Sequence, residues 1–131
     1  MDLRFAFLCD SAMVSGGKLH ALGIGVDSIS ARQVPFRHDR LSLVVRVEYG
    51  RDEVGEHAFE LRLVDADGQD VVPVVEQTTN FSDPEEPTGG AQFVMELNDL
   101  QFNNWGQHEF RVALSGTSLA QIPLHVTQMG S

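Results

Sequence analysis

A single cysteine, Cys9, is all the disulfide-forming capacity of this 131-residue chain. No internal bridge can form, so the fold must rest on its core, and the count suits a reducing compartment. Cations are scarce as well: nine Lys and Arg stand against nineteen Asp and Glu, a formal net charge of −10. A surface of that sign repels phosphate backbones and anionic lipid headgroups, which argues against nucleic acid and membrane as partners. No apolar run approaches the roughly 20 residues that a membrane-spanning helix requires. The opening Met1-Asp2-Leu3-Arg4-Phe5-Ala6-Phe7-Leu8-Cys9-Asp10 has an early acid and too short an apolar stretch for a secretory signal. These absences together predict a cytoplasmic protein. Helical periodicity is also missing, since no window of helical length carries a clean 3.6-residue apolar stripe.

What the chain has instead is a 42% hydrophobic content, including eight Phe, distributed with a period of two. Leu41, Leu43, Val45, Val47 and Tyr49 alternate with Ser42, Arg46 and Glu48, which describes a strand with one buried face. His57, Phe59, Leu61 and Leu63 alternate with Ala58, Glu60 and Arg62, and Phe110, Val112 and Leu114 with Glu109, Arg111 and Ala113. Weaker strands are expected at Leu3–Val14, Leu19–Ile29, Val71–Glu76, Ala91–Leu97 and Ser118–Thr127, giving about eight. Turn signals separate them at Ser15-Gly16-Gly17-Lys18, Asp65-Ala66-Asp67-Gly68 and Ser115-Gly116-Thr117. The segment Ser82–Gly90 is polar, acidic and broken by two prolines, so it reads as an exposed loop, and single helical turns would fit near Pro35 and Asn98-Asp99-Leu100. With no helix to cover a sheet face, the inward side chains must be covered by a second sheet. The predicted fold is all-β, a two-sheet antiparallel β-sandwich in one domain over residues 1–129, with Gly130 and Ser131 reading as a cloning-derived tail.

One internal echo stands out. Gly55-Glu56-His57-Ala58-Phe59-Glu60-Leu61-Arg62-Leu63 and Gly106-Gln107-His108-Glu109-Phe110-Arg111-Val112-Ala113-Leu114 share the pattern Gly-x-His-x-Phe-x-[Leu/Val]-x-Leu. In a sandwich this suits two central strands that enter the core from a glycine corner.

Candidate chemistry is thin. Asp65-Ala66-Asp67-Gly68-Gln69-Asp70 has carboxylates at alternate positions but lacks the rest of a calcium loop, and a hairpin turn accounts for it better. None of the five histidines is paired at ligand spacing. The one metal geometry that can be built brings His57 and His108 together at a shared rim, as neighbouring strands would allow, but two hydrogen-bonded histidines closing the core are the plainer reading. Cys9 fits a buried small hydrophobe, and Gly23 and Gly25 fit a bulge or a close backbone approach. Trp105 reads as a cap on the core, with a partner anchor as the competing role. The acidic loop with Asp83, Glu85 and Glu86 is the place a basic partner would engage. No catalytic residue, metal site or cofactor is assigned.

Leu3-Arg4-Phe5-Ala6-Phe7-Leu8-Cys9-Asp10-Ser11-Ala12, Gly17-Lys18-Leu19-His20-Ala21-Leu22-Gly23-Ile24, Gly55-Glu56-His57 and Asp65-Ala66-Asp67-Gly68 together resemble an uncharacterised bacterial family of short single-domain proteins. The resemblance covers most of the chain. It implies an immunoglobulin-like sandwich with no assigned activity, cofactor or site. The expected function is that of a non-enzymatic interaction or scaffolding module. It would act through a sheet edge or loop rim on another protein or on a second copy, with small-ligand or metal binding as the alternative.

Overall fold

Period-two alternation is realised most fully in β5 (Phe36–Gly50), β6 (Gly55–Val64) and β9 (Gly106–Leu114) of the computed structural model, which describes residues 1–129. The expected tail at Gly130 and Ser131 lies outside the described residues. On β6, Phe59, Leu61 and Leu63 are buried while the side chains between them are half-exposed, and β9 repeats this with Phe110, Val112 and Leu114.

β1 (Asp2–Cys9), β5 and β8 (Thr88–Phe102) form an antiparallel three-stranded sheet in the order β1-β5-β8. The facing sheet has five strands, β4 (Ser28–Ala31), β10 (Thr117–Gln128), β9, β6 and β7 (Val75–Phe81), in that order. One core lies between the layers. Leu41, Leu43, Val45, Val47 and Tyr49 come from one sheet, and Phe59, Phe81, Phe110, Leu124 and Val126 from the other. Burying each such side chain contributes about 1.5–3 kcal/mol, which is why the alternation needs two facing layers.

The sandwich differs from expectation in detail. Among the described residues there are ten strands, because the runs predicted as Leu3–Val14 and Leu19–Ile29 each break in two. Between the breaks, β2 (Ser11–Ser15) and β3 (Lys18–Leu22) form a separate hairpin arm. The break at Asp10 is matched by Gly23, where any Cβ would collide with the Asp10 carboxylate, so the close approach expected at that glycine is real. The antiparallel plan has one exception, since β4 lies parallel to β10, with Ile29 beside Val126. Asn98–Leu100 belong to β8, where the expectation was a helical turn. The short 3-10 turn sits at Arg51–Glu53, where Gly50 N–H bonds the Glu53 carboxylate. The expected loop is shorter, because Thr88–Gly90 pair with Gly50–Glu48. On β5 the outward Ser42 and Val44 are also buried, and β2 lies close to β5.

β6 and β9 are adjacent and antiparallel, so the sequence echo becomes a local two-fold. Leu61 pairs with Val112, and these two residues hold the same place in the repeated pattern.

Candidate functional site

The two sides of the sandwich differ in how their edges are closed. On the side of β1, the Leu8 carbonyl accepts hydrogen bonds from the N–H groups of Gly25 (2.9 Å) and Val26 (3.2 Å), and His125 N–H bonds the Asp27 carbonyl at 2.8 Å. The chain between β3 and β4 therefore seals that edge to the facing layer. On the other side, β8 pairs only with β5 and β7 only with β6 among the described residues. These two free edges flank a cleft of about 550 Å³.

Register decides what lines it. Ala91, Phe93 and Met95 pair with Val47, Val45 and Leu43 and so face inward as a half-buried apolar wall. Gln77 and Thr79 pair with Phe59 and His57 and supply a polar wall from β7. Phe93 is braced from below by Phe59, ring centroids 4.6 Å apart. At one end the chain arching from β7 to β8 borders the cleft at Ser82 and carries Asp83, Glu85 and Glu86, all exposed. Tyr49 Oη–H donates to the Ser82 carbonyl at 2.7 Å, and Arg51 Nη2 to the Glu85 carbonyl at 3.1 Å. Both donors hold the arch by its backbone and leave the carboxylates facing water.

Trp105 is elsewhere. It is half-buried at the corner between β8 and β9 and packs against the core, which is the capping role.

His57 and His108 do not meet. Their strands are neighbours, but the antiparallel register puts each histidine four residues before the Leu61–Val112 centre, at opposite ends. At 3.3–3.4 Å per residue they stand about 27 Å apart, and a shared metal is ruled out. Each closes its own end of the core. His57 Nε2–H donates to the Glu53 carbonyl at 2.6 Å, which leaves Nδ1 to accept from Ser115 Oγ at 2.8 Å, with the ring over Phe81. A hydroxyl on an imidazole is the outline of a nucleophile and base, but this one sits at the tip of a two-residue turn, with Ser115 N–H committed to the Ala58 carbonyl. His108 is buried, bonds the Gly106 carbonyl through Nδ1 at 3.0 Å, and meets Phe102 edge to face. Its Nε2 has no partner among the described residues. No group of three or more His, Cys, Asp or Glu side chains disposed to hold a metal occurs among those residues either.

The Asp65 turn is organised by its own carboxylate. Oδ1 accepts from the N–H groups of Gln69 (3.0 Å) and Asp67 (2.9 Å), and Oδ2 from the Asn104 amide (3.2 Å). These donors, the Gln69 N–H foremost, hold the carboxyl below its ordinary range. A group with a depressed folded pKa contributes stability that is present above its unfolded value of about 3.9 and is lost as pH falls through the folded one. Asp65→Asn is thus expected to lower the Tm near neutral pH by several degrees, with the gap to wild type closing below about pH 4. A gap that stayed constant down to acid pH in thermal melts would mean that the turn does not use the charge.

Cys9 is fully buried, and burial pushes its thiol up from the ordinary value, away from thiolate chemistry. Among the described residues no helix is long and apolar enough to cross a membrane.

The open cleft was invisible in the sequence because an edge exists only once strand order is set. The acidic arch was the one part that composition could find.

Among known proteins, a family model described as "Family of unknown function (DUF6941)" matches residues 4–127. No curated protein matches. Among solved structures, a crystal structure of a glycosyl hydrolase family 2 member from Bacteroides cellulosilyticus DSM 14838 is similar over 66% of this chain, with a TM-score of 0.40 and 16% identity. The chain spans only 13% of that protein's length.

Proposed function

The chain belongs to the family of unknown function DUF6941, and from its geometry we propose that it is a non-enzymatic interaction module that takes up an extended protein segment along the open edge of β7 and β8. One observation carries this reading: two unpaired strand edges border a single cleft with an apolar wall on one side and a polar wall on the other. An extended segment hydrogen-bonding to the β8 edge would place alternate side chains against Phe93 and Met95. Main-chain bonds would supply affinity, and the wall residues would supply selectivity. The acidic arch favours a basic flank on the partner, consistent with a chain that repels phosphate and anionic lipid. A buried, unpaired Cys9 is compatible with work in the cytoplasm, and neither a cofactor nor catalysis is part of the proposal.

Selection of seven-residue peptides from a displayed library against the immobilised domain is expected to return alternating apolar sequences with Lys or Arg at an end. Bound peptide should slow amide exchange in β8. Reversing the arch with Asp83→Lys, Glu85→Lys and Glu86→Lys should weaken binding about tenfold, equivalent to about 1.4 kcal/mol. Thr79→Arg, which fills the cleft, should weaken it further. Selected peptides that ignored both changes and protected no β8 amide would remove the cleft as the site.

A further inference from the structure

Resting on the open-edge reading, we propose that the segment received by the β7–β8 cleft is the β2–β3 arm of a second copy of this chain, with two copies exchanging arms reciprocally. The arm is the least satisfied part of the molecule. Leu22 (72%), Ile24 (62%), Met13 (58%) and Val14 (54%) are the four most exposed large apolar side chains among the described residues, and all lie within one twelve-residue stretch. Among the described residues β3 pairs with β2 alone, so the backbone groups along its outer edge are as free as those of β8. A free edge beside exposed apolar side chains is a surface that soluble proteins normally cover.

Charge selects the occupant. Residues 11–25 contain no Asp or Glu in a chain with nineteen of them, and they carry Lys18 and His20 on β3. The cleft lining is uncharged, and the loop that leaves it at Ser82 carries the opposite sign on Asp83, Glu85 and Glu86. An acid-free, lysine-bearing edge strand is the partner that such a cleft accepts, and every copy supplies one. Length agrees too: the five residues of β3 extend about 17 Å, a match for the Gly90–Met95 stretch of β8 that borders the cleft. The net charge of −10 on each copy opposes approach at long range, but at physiological salt a Debye length of about 8 Å confines the electrostatics to the contact, where the signs are opposite. Because each copy both gives and receives an arm, a two-fold closes the assembly at two and prevents open-ended growth.

Sedimentation velocity of the full chain over a concentration series is expected to show a monomer–dimer equilibrium. Met13→Lys with Leu22→Lys should weaken it about thirtyfold or more, the loss expected when a central apolar anchor is removed. The arch reversal at Asp83, Glu85 and Glu86 should weaken it as well. Mixing the arm variant with the arch variant restores one intact arm and one intact cleft, so a heterodimer should appear where neither variant self-associates. A wild-type chain that stays monomeric at hundreds of micromolar overturns the self-exchange; if it still binds displayed peptides along β8, the cleft reading survives alone. A dimer abolished by the arm changes but indifferent to both Thr79→Arg and the arch reversal overturns the arm-in-cleft contact.

Discussion

Phe110→Ala is expected to cost about 3–5 kcal/mol and to lower the Tm by on the order of 10–20 °C, read by urea titration and thermal melting. Phe110 is only 1% exposed on β9, paired with Leu63 on one side and Ile122 on the other. Truncation there leaves a void that ladders on both sides prevent from collapsing, so loss of burial and the cavity itself act together. Domains of this kind are stable by about 5–15 kcal/mol in all, which makes one ring a large share. Phe59→Ala should be comparable in cost and should also loosen the cleft wall, because Phe59 braces Phe93. A loss below about 1 kcal/mol for Phe110→Ala would contradict the packing of two layers over a common core.

Gly55→Ala and Gly106→Ala should each cost about 1–3 kcal/mol, although neither would create a steric clash. A Cβ at either position meets nothing within 4 Å. The cost lies in the backbone, where φ is +122° at Gly55 and +101° at Gly106, a region that side chains other than hydrogen rarely allow. Both glycines turn the chain into the two echoed strands. Because the antiparallel register sets them at opposite ends of the β6–β9 ladder, far beyond contact, the double variant should lose close to the sum of the single losses. Denaturant titration of the two single variants and the double measures this. Strong non-additivity would mean that the two corners communicate through the sheet.

The fold was legible wherever one face of a strand is buried and the other wet, as on β6 and β9, since burial then writes itself into every second residue. It was less legible where that condition fails. Outward Ser42 and Val44 on β5 are buried, so polarity alone misassigned that face. Val75–Phe81 contributes Glu76, Gln77, Thr78, Thr79 and Asn80 to an edge strand with little to bury, which is why β7 was expected too early in the chain. The break at Asp10 has no turn signature, and its carboxylate lies against Gly23, a tertiary proximity that local sequence does not display. The histidine pairing failed for a related reason: the strands of the repeated pattern are neighbours, as that pairing required, but their relative direction depends on connectivity, and opposite directions separate His57 from His108. Of the candidate site, only the carboxylates of the arch could be found by composition. The walls of the cleft needed the register of β8 on β5 and of β7 on β6.

The parallel seating of Ser28–Ala31 against His125–Gln128 has a consequence for biosynthesis. A strand made early in translation has no ladder to join until His125–Gln128, about a hundred residues later, have been made. Until those residues emerge, that margin of the larger sheet stays bare. Loss of the final half-dozen described residues would expose two strand borders at once, and the shortened product should aggregate as it is made.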